Sequence, residues 1–174
     1  KIDNGKIIMQ KEFKINDNDN YELLIRKVES HGSDLVIETI DNIANNANNA
    51  KYQQQDESNI SYAPKIQKEM LLINCFENSN INHNKVRAFS PIPGAFVKIN
   101  DKRLKILKTR KTSIRSLKEN VSKIFINKNK VFIGCSERLL ELLEVQFEGR
   151  KKMNALSWAR GQIIGSKGVI LNES

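Results

Sequence analysis

The sequence predicts two structural units, a short α/β segment followed by a β-rich barrel. Residues 87–97 place two of the three prolines and a glycine just before an alternating apolar run. Proline is excluded from helix interiors and central strands. We therefore expect a rigid elbow between a helix ending near Phe89 and a strand starting near Ala95. The period-two alternation and the highest density of Lys and Arg both fall in residues 95–174.

The first segment predicts a strand and two helices. Residues 5–15 begin with an apolar run and end in alternation, which is typical of a strand or strand pair. Asp19, with a glutamate three residues later, resembles a capping box. From Tyr21, apolar residues recur at the spacing of one helix face. Gly32 is expected to end this helix, and Ser33 to cap a second one.

From Ala95 onward the sequence predicts five short strands and a helix. Asn100-Asp101 is typical of a tight hairpin turn, and in the strand that follows Leu104 and Ile106 alternate with cations. The other expected elements are strands over 121–126, 130–135 and 139–147 and a helix over 155–160. The leucine spacing of 139–147 suits a helix as well as a strand. Five strands and a helix in this length are typical of a small barrel of the OB type.

The charge of the chain is unevenly distributed. The net charge is +9, yet residues 1–94 carry 11 Lys and Arg against 13 Asp and Glu. Residues 95–174 carry 18 against 7, a net of +11. This asymmetry favours a polyanion, most often nucleic acid, as the partner of the second unit. A solvated cationic surface in a chain rich in Lys, Asn and Ile is the alternative.

Several protein classes are disfavoured by the sequence. No apolar run of about 18 residues exists, which argues against a membrane span, and residues 1–15 lack the features of a secretory signal. Cys75 and Cys135 stand apart from other potential ligands, so they predict buried reduced thiols, a cytoplasmic protein and no metal site. His31 and His83 are expected on the surface.

The cations of the second unit fall into groups. We name them the first group, Lys102, Arg103 and Lys105; the second group, Lys108, Arg110 and Lys111; and the third group, Arg150, Lys151 and Lys152. Arg87, in the elbow, is a further candidate for binding RNA. Such side chains neutralise phosphates and give affinity rather than sequence specificity. Aromatic residues make up only 6% of the chain, and Trp158 is expected to pack on the barrel, so phosphate contacts are favoured over base stacking.

Four segments, in the correct order, resemble methionyl-tRNA formyltransferases. The elbow resembles the Arg-Ala-Phe-x-Pro-x-Pro-Gly entry into the carboxy-terminal domain of that family. The other matches are 2–10, which resembles Leu-Asp-x-Gly-x-Ile-x-x-Gln late in its catalytic domain, 55–69, which resembles its linker, and 149–153, which resembles the Gly-Lys-Lys-x-Met run after its last barrel strand. Asn4 and Cys75 depart from the family pattern, which has a small hydroxyl residue and Trp there.

The resemblance implies a domain organisation. Residues 1–46 would be the end of a Rossmann-like formyltransferase catalytic domain, an α/β remnant. Residues 47–66 would be the interdomain linker. Residues 67–174 would be a complete OB-like carboxy-terminal domain that binds tRNA.

The resemblance also implies an activity. The family transfers a formyl group from 10-formyltetrahydrofolate to the amino group of initiator methionyl-tRNA, in the initiation of translation. This acyl transfer needs a positioned acid or base and a donor to the developing oxyanion. Asp3 matches the catalytic aspartate of the family, expected to orient a His and a water, whereas the family's Asn-x-His pair lies upstream of these residues. The 174 residues alone are expected to bind tRNA without turnover, as a monomer.

Two other functions are weighed against this one. The chain could be a stand-alone basic nucleic-acid-binding module of the OB type without catalysis. It could instead be a formyltransferase that acts on a nucleotide sugar, or a folate dehydrogenase. The net charge of +11 on residues 95–174 argues against a small sugar substrate.

Overall fold

The computed structural model describes residues 5–46, 52–162, 164–165 and 167–171. The chain separates into two compact units, Lys1–Ile66 and Gln67–Ser174, which we call the first and second units. Within the described residues, no helix is both long and apolar enough to cross a membrane.

The first unit consists of one long helix and extended segments. Helix α1 spans Tyr21–Asn46. Ile7 exchanges two backbone hydrogen bonds with Gln53, at 2.8 and 2.9 Å, and this isolated bridge replaces the strand expected over residues 5–15. That prediction is wrong because a strand needs a neighbour along its length, and in the described part of this unit the pairing extends over a single residue pair.

Helix α1 runs through Gly32 without interruption, so the prediction of two separate helices is wrong. Ser33 does not cap a new helix, since its hydroxyl donates a 2.8 Å hydrogen bond to the carbonyl of Glu29 within the same helix. A glycine in a helix interior costs only about 1 kcal/mol relative to alanine. The apolar face continues on both sides of Gly32, and the helix continues with it.

The cap of α1 lies one residue later than predicted. The side chain of Asn20 accepts a 3.0 Å hydrogen bond from the backbone N–H of Leu23. Asp19 instead accepts a 2.7 Å hydrogen bond from the N–H of Asn16 and pairs with Lys27. Asp19 therefore fixes the turn that enters the helix rather than the helix end itself.

The second unit is a seven-stranded antiparallel sheet with two short helices. The elements are α2 (Ser79–Phe89), β1 (Ala95–Ile99), β2 (Lys102–Arg115), β3 (Lys123–Asn127), β4 (Lys130–Gly134), β5 (Arg138–Phe147), β6 (Met153–Asn154), α3 (Ala155–Gly161) and β7 (Val169–Ile170). The order along the sheet is β1-β2-β5-β4-β3-β7, and β6 pairs with Glu144 and Val145 of β5. The strand prediction for 139–147 is confirmed over the helical alternative.

The elbow lies where the sequence predicts it, between α2 and β1. Gly94 has φ of +88°, which favours glycine, and its N–H donates to the carbonyl of Phe89 at 2.9 Å. The hydroxyl of Ser90 is buried and donates a 2.7 Å hydrogen bond to the carbonyl of Leu107 on β2. This bond ties the elbow to the middle of the longest strand.

Both predicted hairpins form. Asn100 and Asp101 join β1 to β2 with φ of 48° and 63°, and Lys128 and Asn129 join β3 to β4 with φ of 47° and 60°. Two-residue hairpin loops of this kind need positive φ at both positions, which Asn and Asp tolerate better than most residues.

One core unites the second unit. It combines inward-facing residues of β1 to β5 with residues of α2 and α3, so the sheet curls around it like a barrel. Leu104, Ile106, Ile124, Ile133 and Leu140 are fully buried there. Trp158, at 4% exposure, packs into the same core from α3, as predicted.

Two isoleucines of β2 that differ in burial make a matched test of this core. Ile106→Ala should lower the free energy of unfolding by about 2–5 kcal/mol, because the side chain is fully buried. Ile114→Ala, on the same strand but 46% exposed, is the control and should cost much less. Urea unfolding followed by circular dichroism measures both. Equal losses of unfolding free energy in the two variants would contradict the burial of Ile106 in the core.

Cys75 and Cys135 are buried free thiols, as predicted. Burial, followed by the nearby Cys135, raises the pKa of Cys75 to about 12. Burial also raises the pKa of Cys135 to about 11. The reactive species is the thiolate, so both thiols are chemically quiet near neutral pH.

This pKa shift gives a direct labelling experiment. At about pH 8, Ellman's reagent should modify neither thiol in the folded chain and both in guanidinium chloride. The free energy of unfolding should fall as the pH rises from the ordinary thiol pKa of 9.0 toward 11–12, because only the unfolded thiols ionise there. Rapid labelling of the folded chain would contradict the burial of these residues.

Candidate nucleic-acid interface

Strand β2 carries the first two groups of cations. Its pairing with β5 runs from Leu104 opposite Phe147 to Arg115 opposite Arg138, with register shifts between Ile106 and Thr109. Such irregularities bend a strand and re-aim its side chains. The first and second groups therefore lie on two differently directed parts of one strand.

The first group is fixed by its neighbours. The guanidinium carbon of Arg103 lies 5.0 Å from the centroid of the Phe96 ring, a cation–π contact. The backbone N–H of Arg103 donates to Glu148 at 2.9 Å. Lys105 is half-buried, and its stem lies so close to Gly94 that a Cβ there would meet Lys105 Cδ at 3.0 Å. Lys102 is exposed.

One residue of β5, Glu144, neighbours a member of the second group and a member of the third. Glu144 of β5 lies opposite Lys108 in the strand register. Its Oε1 also lies 3.5 Å from Nζ of Lys152. Arg150 and Lys151 are exposed in the connection between β5 and β6. Lys108 and Lys152, which are far apart in sequence, thus both lie near Glu144.

Arg110 belongs to a further cluster that the sequence analysis did not find. Glu141 of β5 is 5% exposed, and its Oε2 lies 3.5 Å both from Nη1 of Arg110 and from Nζ of Lys130. Lys128 lies in the turn just before Lys130. The sequence feature that could have indicated this cluster is the pair of cations, Lys128 and Lys130, in and just after the β3–β4 turn.

These side chains line a groove of about 430 Å³, which we call the β2–β4 groove. The lining residues are Arg110, Lys111, Thr112, Ser113, Ile114, Asn127, Lys128, Lys130, Phe132 and Glu141. Four of them are cations and one is a carboxylate. A groove with this excess of positive charge suits a polyanion.

Arg87 lies on α2, whereas the three groups lie on β2 and in the connection between β5 and β6. It is half-buried, and its Nε donates a 2.9 Å hydrogen bond to Asn84. His83, on the same helix, is buried at 6% exposure with Nδ1 2.8 Å from the hydroxyl of Thr109. The expectation of a surface His83 is wrong because α2 packs against β2.

His31 is also not a free surface side chain. It is half-buried, and its ring centroid lies 5.3 Å from that of Phe13. The expectation of a surface position is therefore wrong in part. The aromatic neighbour comes from the segment that the sequence assigned to a strand.

Asp3, the predicted catalytic residue, lies outside the described residues. A cavity of the first unit, about 390 Å³, is lined by Ile7, Ile8, Met9, Leu35, Val36, Thr39 and Ile40. Thr39 is its one hydrogen-bonding side chain, whereas a pterin ring needs several polar partners. These residues do not fit a folate. Among the described residues, no group of three His, Cys, Asp or Glu could hold a metal ion.

Comparison with known sequences identifies the second unit. Residues 65–162 match the formyl transferase C-terminal domain. The chain is 36% identical to a methionyl-tRNA formyltransferase of Thermodesulfovibrio yellowstonii, over 94% of this chain and 51% of that protein. It is 32% identical to one of Syntrophomonas wolfei, over 92% of this chain and 51% of that protein. The chain thus spans about half the length of these curated relatives.

Solved structures agree in fold. The sugar 3N-formyltransferase WlaRD, solved with dTDP and 5-N-formyl-THF, has a TM-score of 0.62 at 25% identity, covering 87% of this chain and 52% of that one. HypX of Aquifex aeolicus, in complex with tetrahydrofolic acid, has a TM-score of 0.66 at 17% identity, covering 90% and 28%. The matched domain and the barrel-like sheet show that the chain belongs to the formyltransferase family and carries its C-terminal domain.

Proposed function

We propose that the chain is the rear half of a methionyl-tRNA formyltransferase, and that its second unit binds the initiator tRNA. The observation that carries the proposal is the concentration of the three groups of cations on β2 and in the connection between β5 and β6. Two carboxylates lie among these cations: Glu144, 3.5 Å from Nζ of Lys152, and Glu148, which accepts from the backbone N–H of Arg103, so an excess of positive charge remains. The similarity to curated methionyl-tRNA formyltransferases supports the choice of tRNA.

The surface suits phosphates better than stacked bases. Phe125, Phe132 and Trp158 of the second unit are buried, and Phe96 lies under Arg103, whereas the exposed Phe76 lines a cavity that contains none of the three groups. Stacking platforms for single strands need exposed aromatic faces. Lysine and arginine side chains on a rigid sheet can instead follow the backbone of a folded RNA.

The first unit fits the end of a larger catalytic domain. In its described part, no apolar residue is among the buried ones, and Val36, Ile37 and Ile40 of α1 are 58–61% exposed. An apolar helix face of this size needs a partner surface. We assign residues 1–46 to a Rossmann-like catalytic domain and 47–66 to the linker. The twofold greater length of the relatives supports this assignment.

The catalytic step belongs to the whole enzyme rather than to this segment. The formyl donor would be 10-formyltetrahydrofolate, the donor that the family resemblance implies. Asp3 stays the proposed catalytic residue, orienting a His from the preceding half. The segment itself would bind tRNA without turnover, as a cytoplasmic monomer.

A stand-alone binding module is the second candidate. The observation that favours it is the complete core of the second unit, which needs no contribution from a catalytic half. A gene that continues upstream with a Gly-rich β-α unit and an Asn-x-His pair would identify the enzyme. A gene without them would identify the binding module.

Tight binding to tRNA is the first expected result. Fluorescence anisotropy should show that the chain binds initiator tRNA more tightly than duplex DNA of equal length. The logarithm of the association constant should fall with the logarithm of salt with a slope of several charges. Equal or absent binding to both nucleic acids would contradict the proposal.

A double variant tests the assigned surface. Lys102→Gln/Arg103→Gln should weaken tRNA binding and reduce the salt slope by about 1–2, because up to two phosphate contacts are lost. The matched control is Lys118→Gln/Lys167→Gln, which removes two exposed cations outside the three groups and should leave the slope unchanged. If both doubles change the slope equally, binding reflects net charge and not this surface.

A further inference from the structure

We propose that the β2–β4 groove binds one unpaired nucleotide of an RNA, with its phosphate among the cations and its base edge against Glu141. The inference deepens the proposed function and rests on it, since the unpaired nucleotide would belong to the bound tRNA. It assigns a role to Lys128 and Lys130, which lie outside the three groups.

The floor of the groove is a row across three strands. Arg110 of β2 lies opposite Glu141 of β5, and Glu141 lies opposite Phe132 of β4. Directly opposed residues in antiparallel strands share one face of the sheet. Phe132 is 4% exposed and packs with Phe125 and Leu139. The floor is therefore a fixed surface with one carboxylate set into it.

The walls of the groove supply charge for a phosphate. Arg110 and Lys111 come from β2, and Lys128 and Lys130 come from the β3–β4 turn and β4. Lys128 and Lys130 are exposed. The volume of about 430 Å³ lies in the range of about 300–1,000 Å³ typical of small-ligand sites.

Another cavity of the second unit lacks this excess of charge. It measures about 460 Å³ and is lined in part by Glu69, Glu77, Lys85 and Lys98. The two carboxylates and two ammonium groups balance one another. A polyanion is therefore favoured at the β2–β4 groove.

Glu141 gives the groove a preference among bases. Its two contacts, at 3.5 Å, are longer than the roughly 2.7–2.9 Å of a strong charge-assisted hydrogen bond, so this buried carboxylate can still accept from a ligand. Cytosine offers its N4 amino group, and guanine its N1–H and N2 amino group. Uracil offers one donor, N3–H, but this donor lies between the O2 and O4 acceptors, which a carboxylate repels, and O4 takes the position of the cytosine amino group. We expect the groove to prefer cytosine over uracil.

Short oligonucleotides test this preference on the full chain. Anisotropy of fluorescein-labelled pentacytidylate and pentauridylate should show tighter binding of the cytidylate by about fivefold or more. Glu141→Gln should abolish the difference, because an amide can donate to O4 as well as accept from N4. Equal affinities in the unaltered chain would overturn the inference without any variant, so a folding defect in Glu141→Gln cannot rescue it.

A second variant locates the binding. Lys128→Gln/Lys130→Gln should weaken both oligonucleotides by a similar factor of about ten, whereas Lys118→Gln/Lys167→Gln should change neither. Unchanged binding in Lys128→Gln/Lys130→Gln would overturn the groove as the site. If tRNA still binds tightly in that case, the proposed function stands and only the groove fails. If the oligonucleotide preference holds while tRNA binds no better than DNA, the proposed function fails and the groove stands.

Discussion

The pairing of β2 with β5 is the contact on which the rest of the second unit depends. It joins the longest two strands of the sheet. Before its register shifts, Leu104 and Ile106 fill the core while Arg103 points outward. After them, Thr109 is buried against His83 of α2 and Arg110 lines the β2–β4 groove. This one irregular pairing therefore contributes core residues, provides the strand against which α2 packs, and places cations on two differently directed parts of β2.

Three carboxylates, two on β5 and one just after it, partly offset the positive charge of these surfaces. Glu141 faces Arg110 and Lys130, Glu144 faces Lys108 and Lys152, and Glu148 accepts from the backbone of Arg103. At 3.5 Å, exposed ion pairs add little stability. Their effect is on the local charge. Glu141 and Glu144 are each outnumbered by neighbouring cations, so the surroundings of both carboxylates stay positive.

The sequence predicts the second unit well because its signals are local. The elbow, both hairpin turns and the face of Leu104 and Ile106 follow from proline chemistry, turn chemistry and period-two alternation. The failures have other causes. Gly32 lies inside one helix because the propensity cost of a single glycine is small and the apolar face continues on both sides of it. His83 is buried because α2 meets Thr109, which is distant in sequence. The groove at Glu141 was missed because cross-strand register brings its residues together.

The two units differ in how much of their own apolar surface they bury. All buried apolar residues in the described part of the chain belong to the second unit, from Ile73 to Leu171. Burial of apolar area is the main stabilising term in folding, so this unit contains the means of its own stability. Helix α1 presents Val36, Ile37 and Ile40 without comparable cover. A binding surface built on a self-sufficient barrel can keep its geometry whatever α1 packs against. A catalytic centre built around α1 would need a partner surface for this apolar face, and this difference supports the proposed division into a binding unit and part of a catalytic domain.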